Sequence, residues 1–176
     1  MNKAVFIDRD GVITKELGYI CPINMVEVFP YVRECVKIIH EKGYLAIVVT
    51  NQSGVARGIF SEEELVELNN RIQADTMVDA IYFCPHHEKG VVEKYKINCN
   101  CRKPNIGMIE KASKRYNIKI DESYMVGDRA TDIICGENAK LKTVLVNSGY
   151  GIMNLEQPIE PDYIMDDLKE FANWLK

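Results

Sequence analysis

Short apolar runs alternate along the chain with longer stretches in which apolar residues recur every three or four positions. The runs cover residues 4–7, 45–49, 80–83, 124–126, 143–146 and 163–165. They show no polar alternation, the pattern of strands covered on both faces. Helical spacing lies between them. Val32, Cys35, Val36 and Ile39 mark a helix within 31–42, with Gly43 as its stop. Ser61 followed by Glu64 is a capping-box pattern that opens a helix running to about residue 74. Further helices are expected over 106–116, 131–139 and 167–175. Strand–helix–strand alternation predicts an α/β fold: a doubly wound, mostly parallel sheet with helices on both faces. No repeat, linker or low-complexity segment divides the chain, so one domain over 1–176 is expected.

Composition narrows the class. A chain that is 47% hydrophobic and 27% charged is ordinary for a globular protein. Its formal net charge of -4 argues against a phosphate-backbone binder and so against nucleic acid as a partner. No apolar stretch approaches the roughly 18 residues of a membrane span. The N-terminus enters a strand-like run with no signal-peptide pattern, so a cytoplasmic location is expected. There the six cysteines stay reduced. Nothing suggests a symmetric apolar patch, and a monomer is expected.

In sheets of this kind ligands bind outside the carboxyl ends of the strands. Asp8 and Asp10 follow the first run, Thr50, Asn51, Gln52 and Ser53 the second, and Gly127 and Asp128 the fourth. Three polar clusters should therefore converge on one edge. The acids, with no obvious basic partner, suit a hard divalent cation such as magnesium, held by Asp8 and Asp128 with Asp132 in support. Strand-end turns and helix caps also favour Asp. A carboxylate is a workable nucleophile towards phosphorus, and Asp10 could move the proton. Thr50 offers a hydroxyl, Asn51 an amide and Lys103 a positive charge for phosphate oxygens.

A second cluster is formed by Cys84-Pro85-His86-His87 and Cys99-Asn100-Cys101. Three cysteines and one histidine make a complete tetrahedral zinc set: Cys84, Cys99, Cys101 and His86, with His87 as a spare that could replace His86. Four protein ligands leave no open position, which points to a structural zinc that pins loop 85–98 and carries Arg102 and Lys103 to the site. Cys35 and Cys135 read as helix core; Cys21 has no assigned role. Gly54 to Gly58 lacks the Lys-Ser/Thr of a phosphate-binding P-loop, and Ser53 lacks a nucleophile-elbow context. Phe171, Trp174 and Leu175 read as the docked face of a C-terminal helix.

D-R-D-G-V-I, T-N-Q-S-G-V-A-R-G, C-R-K-P and M-V-G-D-R-A-T-D occur in order between residues 8 and 132. The chain resembles the haloacid-dehalogenase (HAD) superfamily phosphatases. Within them it is similar to the D-glycero-D-manno-heptose 1,7-bisphosphate phosphatases and the related histidinol-phosphate phosphatases. The resemblance implies a HAD-like, Rossmannoid fold and a phosphorylated sugar as substrate. It implies Asp8 as nucleophile and Asp10 as general acid/base, with Thr50 and Lys103 on the phosphate. It also implies magnesium on Asp8, Asp128 and the Asp10 carbonyl, with Asn51 and Arg102 as substrate contacts and Asp132 behind the metal. The heptose branch matches all four zinc positions and the S-G-V-A-R-G run. Arg57 in that run is a candidate for a second phosphate. Neither gap between motifs can hold a full cap domain, so a capless, open site is expected, with specificity from loops 14–26, 54–60 and 85–98. Competing readings are histidinol-phosphate phosphatase, a DNA 3′-phosphatase, and a zinc-stabilised binding module without activity.

Overall fold

The computed structural model describes residues 1–16, 18, 25–155 and 157–176. Cys21 and most of loop 14–26 lie outside them. Six parallel strands form one sheet: β1 (Lys3–Ile7), β2 (Tyr44–Asn51), β3 (Ala80–Cys84), β4 (Tyr124–Gly127), β5 (Lys142–Val146) and β6 (Tyr163–Met165). Their order is β3-β2-β1-β4-β5-β6. Among the described residues four α-helices lie between strands, α1 (Val32–Glu41), α2 (Glu62–Thr76), α3 (Gly107–Tyr116) and α4 (Ala130–Asn138), and α5 (Leu168–Trp174) follows β6.

Successive strand residues point to opposite faces. In β1, Val5 and Ile7 join a core with α1, α2 and α5, through Val36, Ile39, Leu68, Ile72 and Phe171. Ala4 and Phe6 join the opposite core with α3 and α4, through Ile109, Ala112 and Cys135. Each such fully buried large side chain contributes about 1.5–3 kcal/mol relative to exposure. Cys35 and Cys135 are buried core residues, as expected. The outer strands depart from the expectation of strands covered on both faces. β3 is half-buried along most of its length, and Tyr163 and Ile164 of β6 are exposed, because these two strands are the sheet edges.

Local signals place the helix ends. Ser61 Oγ accepts from Glu64 N and the Glu64 carboxylate accepts from Ser61 N, forming the capping box that opens α2. Asp167 is the N-cap of α5, accepting from Lys169 N and Glu170 N, so that helix starts one residue later than its periodicity suggests. Phe171 and Trp174 dock α5 on Tyr124, with ring centroids 5.5 and 6.0 Å away. Among the described residues, the connection from β1 to α1 holds loop and isolated bridges. No helix among them is long and apolar enough to cross a membrane.

Candidate active site

The strand order reverses between β1 and β4, which pair directly through Ile7 and Val126. A crevice opens outside the carboxyl ends of strands at such a reversal. Here it is a cavity of about 490 Å³ lined by Asp8, Asp10, Thr50, Lys103, Asp132 and neighbouring residues. Asp8 N donates to Val126 O at 2.9 Å, which fixes the end of β1 against β4.

Asp8, Asp128 and Asp132 each bring a carboxylate oxygen within 4.8 Å of the others. All three are buried. Asp8 Oδ1 accepts from Arg9 N at 2.7 Å and lies 2.8 Å from Lys103 Nζ. Asp132 Oδ1 lies 2.6 Å from the same Nζ, and its Oδ2 accepts from Arg129 N. Asp128 Oδ2 accepts from Tyr150 N at 2.7 Å, while its buried Oδ1 has no hydrogen-bond partner among the described residues. An unpartnered buried carboxylate oxygen beside two further carboxylates fits a hard, oxygen-seeking cation. Space here is tight: a Cβ on Gly11, where φ is +86°, would stand 2.3 Å from Asp128 Oδ2.

The charges push one another. Burial and the nearby Asp132 raise the Asp8 carboxyl well above its ordinary range, against the pull of Lys103. Burial and Asp132 push Asp128 up to about 7. Burial works against the charge on Lys103, but Asp132 and Asp8 outweigh it and raise its pKa. Lys103 Nζ donates to the Val49 carbonyl at 2.8 Å and forms ion pairs with Asp8 and Asp132.

Asp10 turns the other way. Arg9 holds it with a fork, Nε to Oδ1 at 3.0 Å and Nη2 to Oδ2 at 3.1 Å. Gln52 Nε2 donates to Oδ2 at 2.6 Å and Thr14 Oγ1 to Oδ1 at 3.0 Å. Burial alone would raise this carboxyl, but Arg9, Gln52 and Thr14 hold it below the usual carboxylate range. Gln52 Nε2 also donates to Thr50 Oγ1 at 2.9 Å.

Cys84, His86, Cys99 and Cys101 form the second cluster, again with ligand atoms within 4.8 Å of one another. The sulfur separations are 3.1, 3.2 and 3.4 Å, and His86 Nδ1 lies 3.2 Å from Cys101 Sγ and 3.7 Å from Cys84 Sγ. These are too long for disulfides, near 2.05 Å. They come close to the edges of ~3.8 Å that a tetrahedral zinc with ~2.3 Å Zn–S bonds would span. Burial, then hydrogen bonding from Cys101, raises the Cys84 thiol, so a bound metal ion would have to displace its proton. Cys84 ends β3 opposite Asn51, and its carbonyl accepts from Gln52 N at 2.8 Å. The cluster is thus stitched to the end of β2. On its other side, Asn51 clamps Lys103, accepting from its N and donating to its O, both at 3.0 Å.

Residues 100–171 match a HAD-hydrolase-like family model. Over its whole length the chain is 38% identical to the D-glycero-beta-D-manno-heptose-1,7-bisphosphate 7-phosphatase of Haemophilus influenzae, spanning 98% of that protein. It is 41% identical, over 84% of each chain, to the D-glycero-alpha-D-manno-heptose-1,7-bisphosphate 7-phosphatase of Photorhabdus laumondii. The crystal structure of the D,D-heptose 1,7-bisphosphate phosphatase of B. bronchiseptica, complexed with magnesium and phosphate, superposes with a TM-score of 0.84. It is 28% identical to this chain, and the match covers 98% of this chain and 97% of that one. The chain belongs to this family of HAD-like phosphatases. It is a phosphoric monoester hydrolase, and Asp8, Asp10 and Asp132 line the cavity where such chemistry would occur, while Asp128 is buried outside the lining.

Against that family membership, several expected residues fall into place and others do not. Asp8, Asp10, Thr50, Asn51, Arg102 and Lys103 all line the cavity. Arg102 Nη1 donates to the His86 carbonyl at 3.3 Å, joining the R-K-P segment to the cysteine cluster. Arg57 is absent from the cavity lining; its guanidinium lies 3.2 Å from His87 Nε2. His87 lies outside the metal-type cluster for the same reason. Loop 85–98 contributes no lining residue, because its chain is tied back to Ala56 by Val91 and Val92. The acids do have basic partners, Arg9 and Lys103, contrary to expectation. Arg9, Arg129 and Tyr150 escaped the sequence reading, which placed Gln52 at the site but gave it no role. Arg129 lies 3.8 Å over the Tyr150 ring and pairs with Glu16 at 3.0 Å, walling the mouth of the cavity. A signal existed for Arg9 and Arg129, each beside a motif Asp, but their directions were not readable.

Proposed function

We propose that this single-domain chain is a magnesium-dependent phosphatase that removes the 7-phosphate of D-glycero-D-manno-heptose 1,7-bisphosphate. The supporting observation is the meeting of Asp8, Asp128 and Lys103 at the β1/β4 reversal in a chain aligned end to end with a heptose-bisphosphate phosphatase. Asp8 and Asp128 would hold the metal with the Asp10 carbonyl, and Asp132 pairs with Lys103. Bound magnesium would supply positive charge that keeps the acids ionised and neutralises the phosphoryl oxygens. Lys103 binds phosphate beside the Thr50 hydroxyl, while Asn51 holds Lys103 in register.

An Asp8 oxygen attacks phosphorus and the P–O bond to the sugar breaks. Asp10 gives its proton to the departing oxygen; the incoming dianionic phosphate raises its proton affinity. Water then attacks phosphorus and passes a proton back to Asp10. The bond to Asp8 breaks and inorganic phosphate leaves. Arg102 meets the distal end of the sugar. A structural zinc in the Cys84–His86–Cys99–Cys101 cluster holds the R-K-P segment, and a cytoplasmic monomer suits the reduced thiols.

The test is phosphate release with magnesium from heptose 1,7-bisphosphate (both anomers) and from histidinol phosphate. A preference for one heptose anomer of at least about tenfold in kcat/KM, roughly 1.4 kcal/mol, is expected. Faster turnover of histidinol phosphate would overturn the substrate assignment.

A further inference from the structure

Asn69 is an oddity of α2. It sits on the helix's buried face with Leu65, Leu68 and Ile72, 5% exposed, and it is absent from the cavity lining. Among the described residues its side chain has one hydrogen-bond partner, Arg9, whose Nη1 donates to Asn69 Oδ1 at 3.1 Å. Its Nδ2 has no hydrogen-bond partner among the described residues. A polar side chain kept in an apolar helix face for a single contact points to a demand for that contact. The contact completes a chain. Arg9 is itself 4% exposed and spends Nε and Nη2 on the two oxygens of Asp10. A guanidinium is a planar fork, so anchoring Nη1 fixes the direction of the other two donors. Thr14 and Gln52 bind Asp10 as well, one bond each, while Arg9 alone holds both oxygens.

We propose that Asn69 is a positioning residue: through Arg9 it sets the orientation of the Asp10 carboxylate, and with it the efficiency of proton delivery to the leaving oxygen. This rests on Asp10 being the general acid. A sugar alkoxide needs that proton when the P–O bond breaks, whereas p-nitrophenolate departs without it. Misaiming Asp10 should therefore slow phosphoryl transfer to Asp8 from the first substrate and spare it from the second; the later water step is common to both and does not enter kcat/KM.

The experiment compares kcat/KM, set by the steps through P–O cleavage, on the heptose bisphosphate and on p-nitrophenyl phosphate for wild type, Asp10→Asn, Asn69→Leu, Asn69→Ala and Asn69→Asp. Asn69→Leu removes the acceptor at similar size; Asn69→Asp restores an acceptor oxygen. The expected result is that Asn69→Leu loses at least about tenfold in kcat/KM on the sugar phosphate. It should lose less than about twofold on p-nitrophenyl phosphate, with Asn69→Asp close to wild type on both. Asn69→Ala, which also removes the acceptor, should show the same split and decides the matter if Asn69→Leu does not fold. Equal losses on both substrates, or none, in Asn69→Leu and Asn69→Ala would overturn the proposal while Asp10→Asn still splits them. If Asp10→Asn itself shows no split, the general-acid reading fails and the proposal with it.

Discussion

At the scale of single residues, the site is a balance between burial and charge. Three buried carboxylates stand around one lysine, which cannot satisfy them all. Asp128 is pushed up to about 7 by burial and Asp132, so the folded protein without metal binds its proton more tightly than the unfolded chain does. The sign follows from proton linkage. Without metal, the stabilising proton is held at low pH and lost as pH rises through about 7, so the melting temperature should fall between pH 6 and 8. Magnesium should reverse that trend, because it replaces the proton on Asp128. Thermal melts at both pH values, with EDTA and with magnesium, check this; a metal-free melting temperature that rises over the interval would contradict it. Asp8, Asp10, Asp128 and Lys103 were legible in the sequence because each follows a strand end or a clustered motif. Arg9 was not. It sits between two acids, and only the turn after β1, closed by three N–H donors onto its carbonyl, sends its side chain back over Asp10 toward α2.

At the scale of elements, the apolar runs and helical stripes located all six strands and five helices, since burial on two faces imposes those patterns. The boundaries moved by a residue or two where a cap decided them, as with Asp167. The edge strands misled the reading because an apolar run does not state its place in the sheet order. Loops were the least legible. The cysteine cluster was visible as spacing, but its route to the site runs through contacts of low sequence regularity: Cys84 O with Gln52 N, Asn51 with Lys103, Arg102 with His86 O. If a metal ion holds those contacts, Cys101→Ser should lower the melting temperature by roughly 5 °C or more. It should also reduce kcat, since Lys103 lies two residues away. Differential scanning calorimetry beside steady-state kinetics tests this, and a variant unchanged in both would remove the structural role.

At the scale of the whole molecule, parallel strands carry their carboxyl ends to one side, and the order reversal between β1 and β4 opens a crevice there. That single geometric fact gathers residues 8, 50, 103 and 132, more than a hundred positions apart, into one cavity. The described connections add no second layer over it, and Glu16, Arg129 and Tyr150 form its outer wall. Everything in the account depends on Asp8 being the group that attacks phosphorus. The most direct test is magnesium-dependent phosphate release from heptose 1,7-bisphosphate by wild type and by Asp8→Asn, which keeps the shape and removes the charge. The account predicts turnover in wild type and a loss on the order of 10³-fold or more in the variant. Retention of wild-type turnover by Asp8→Asn would contradict it.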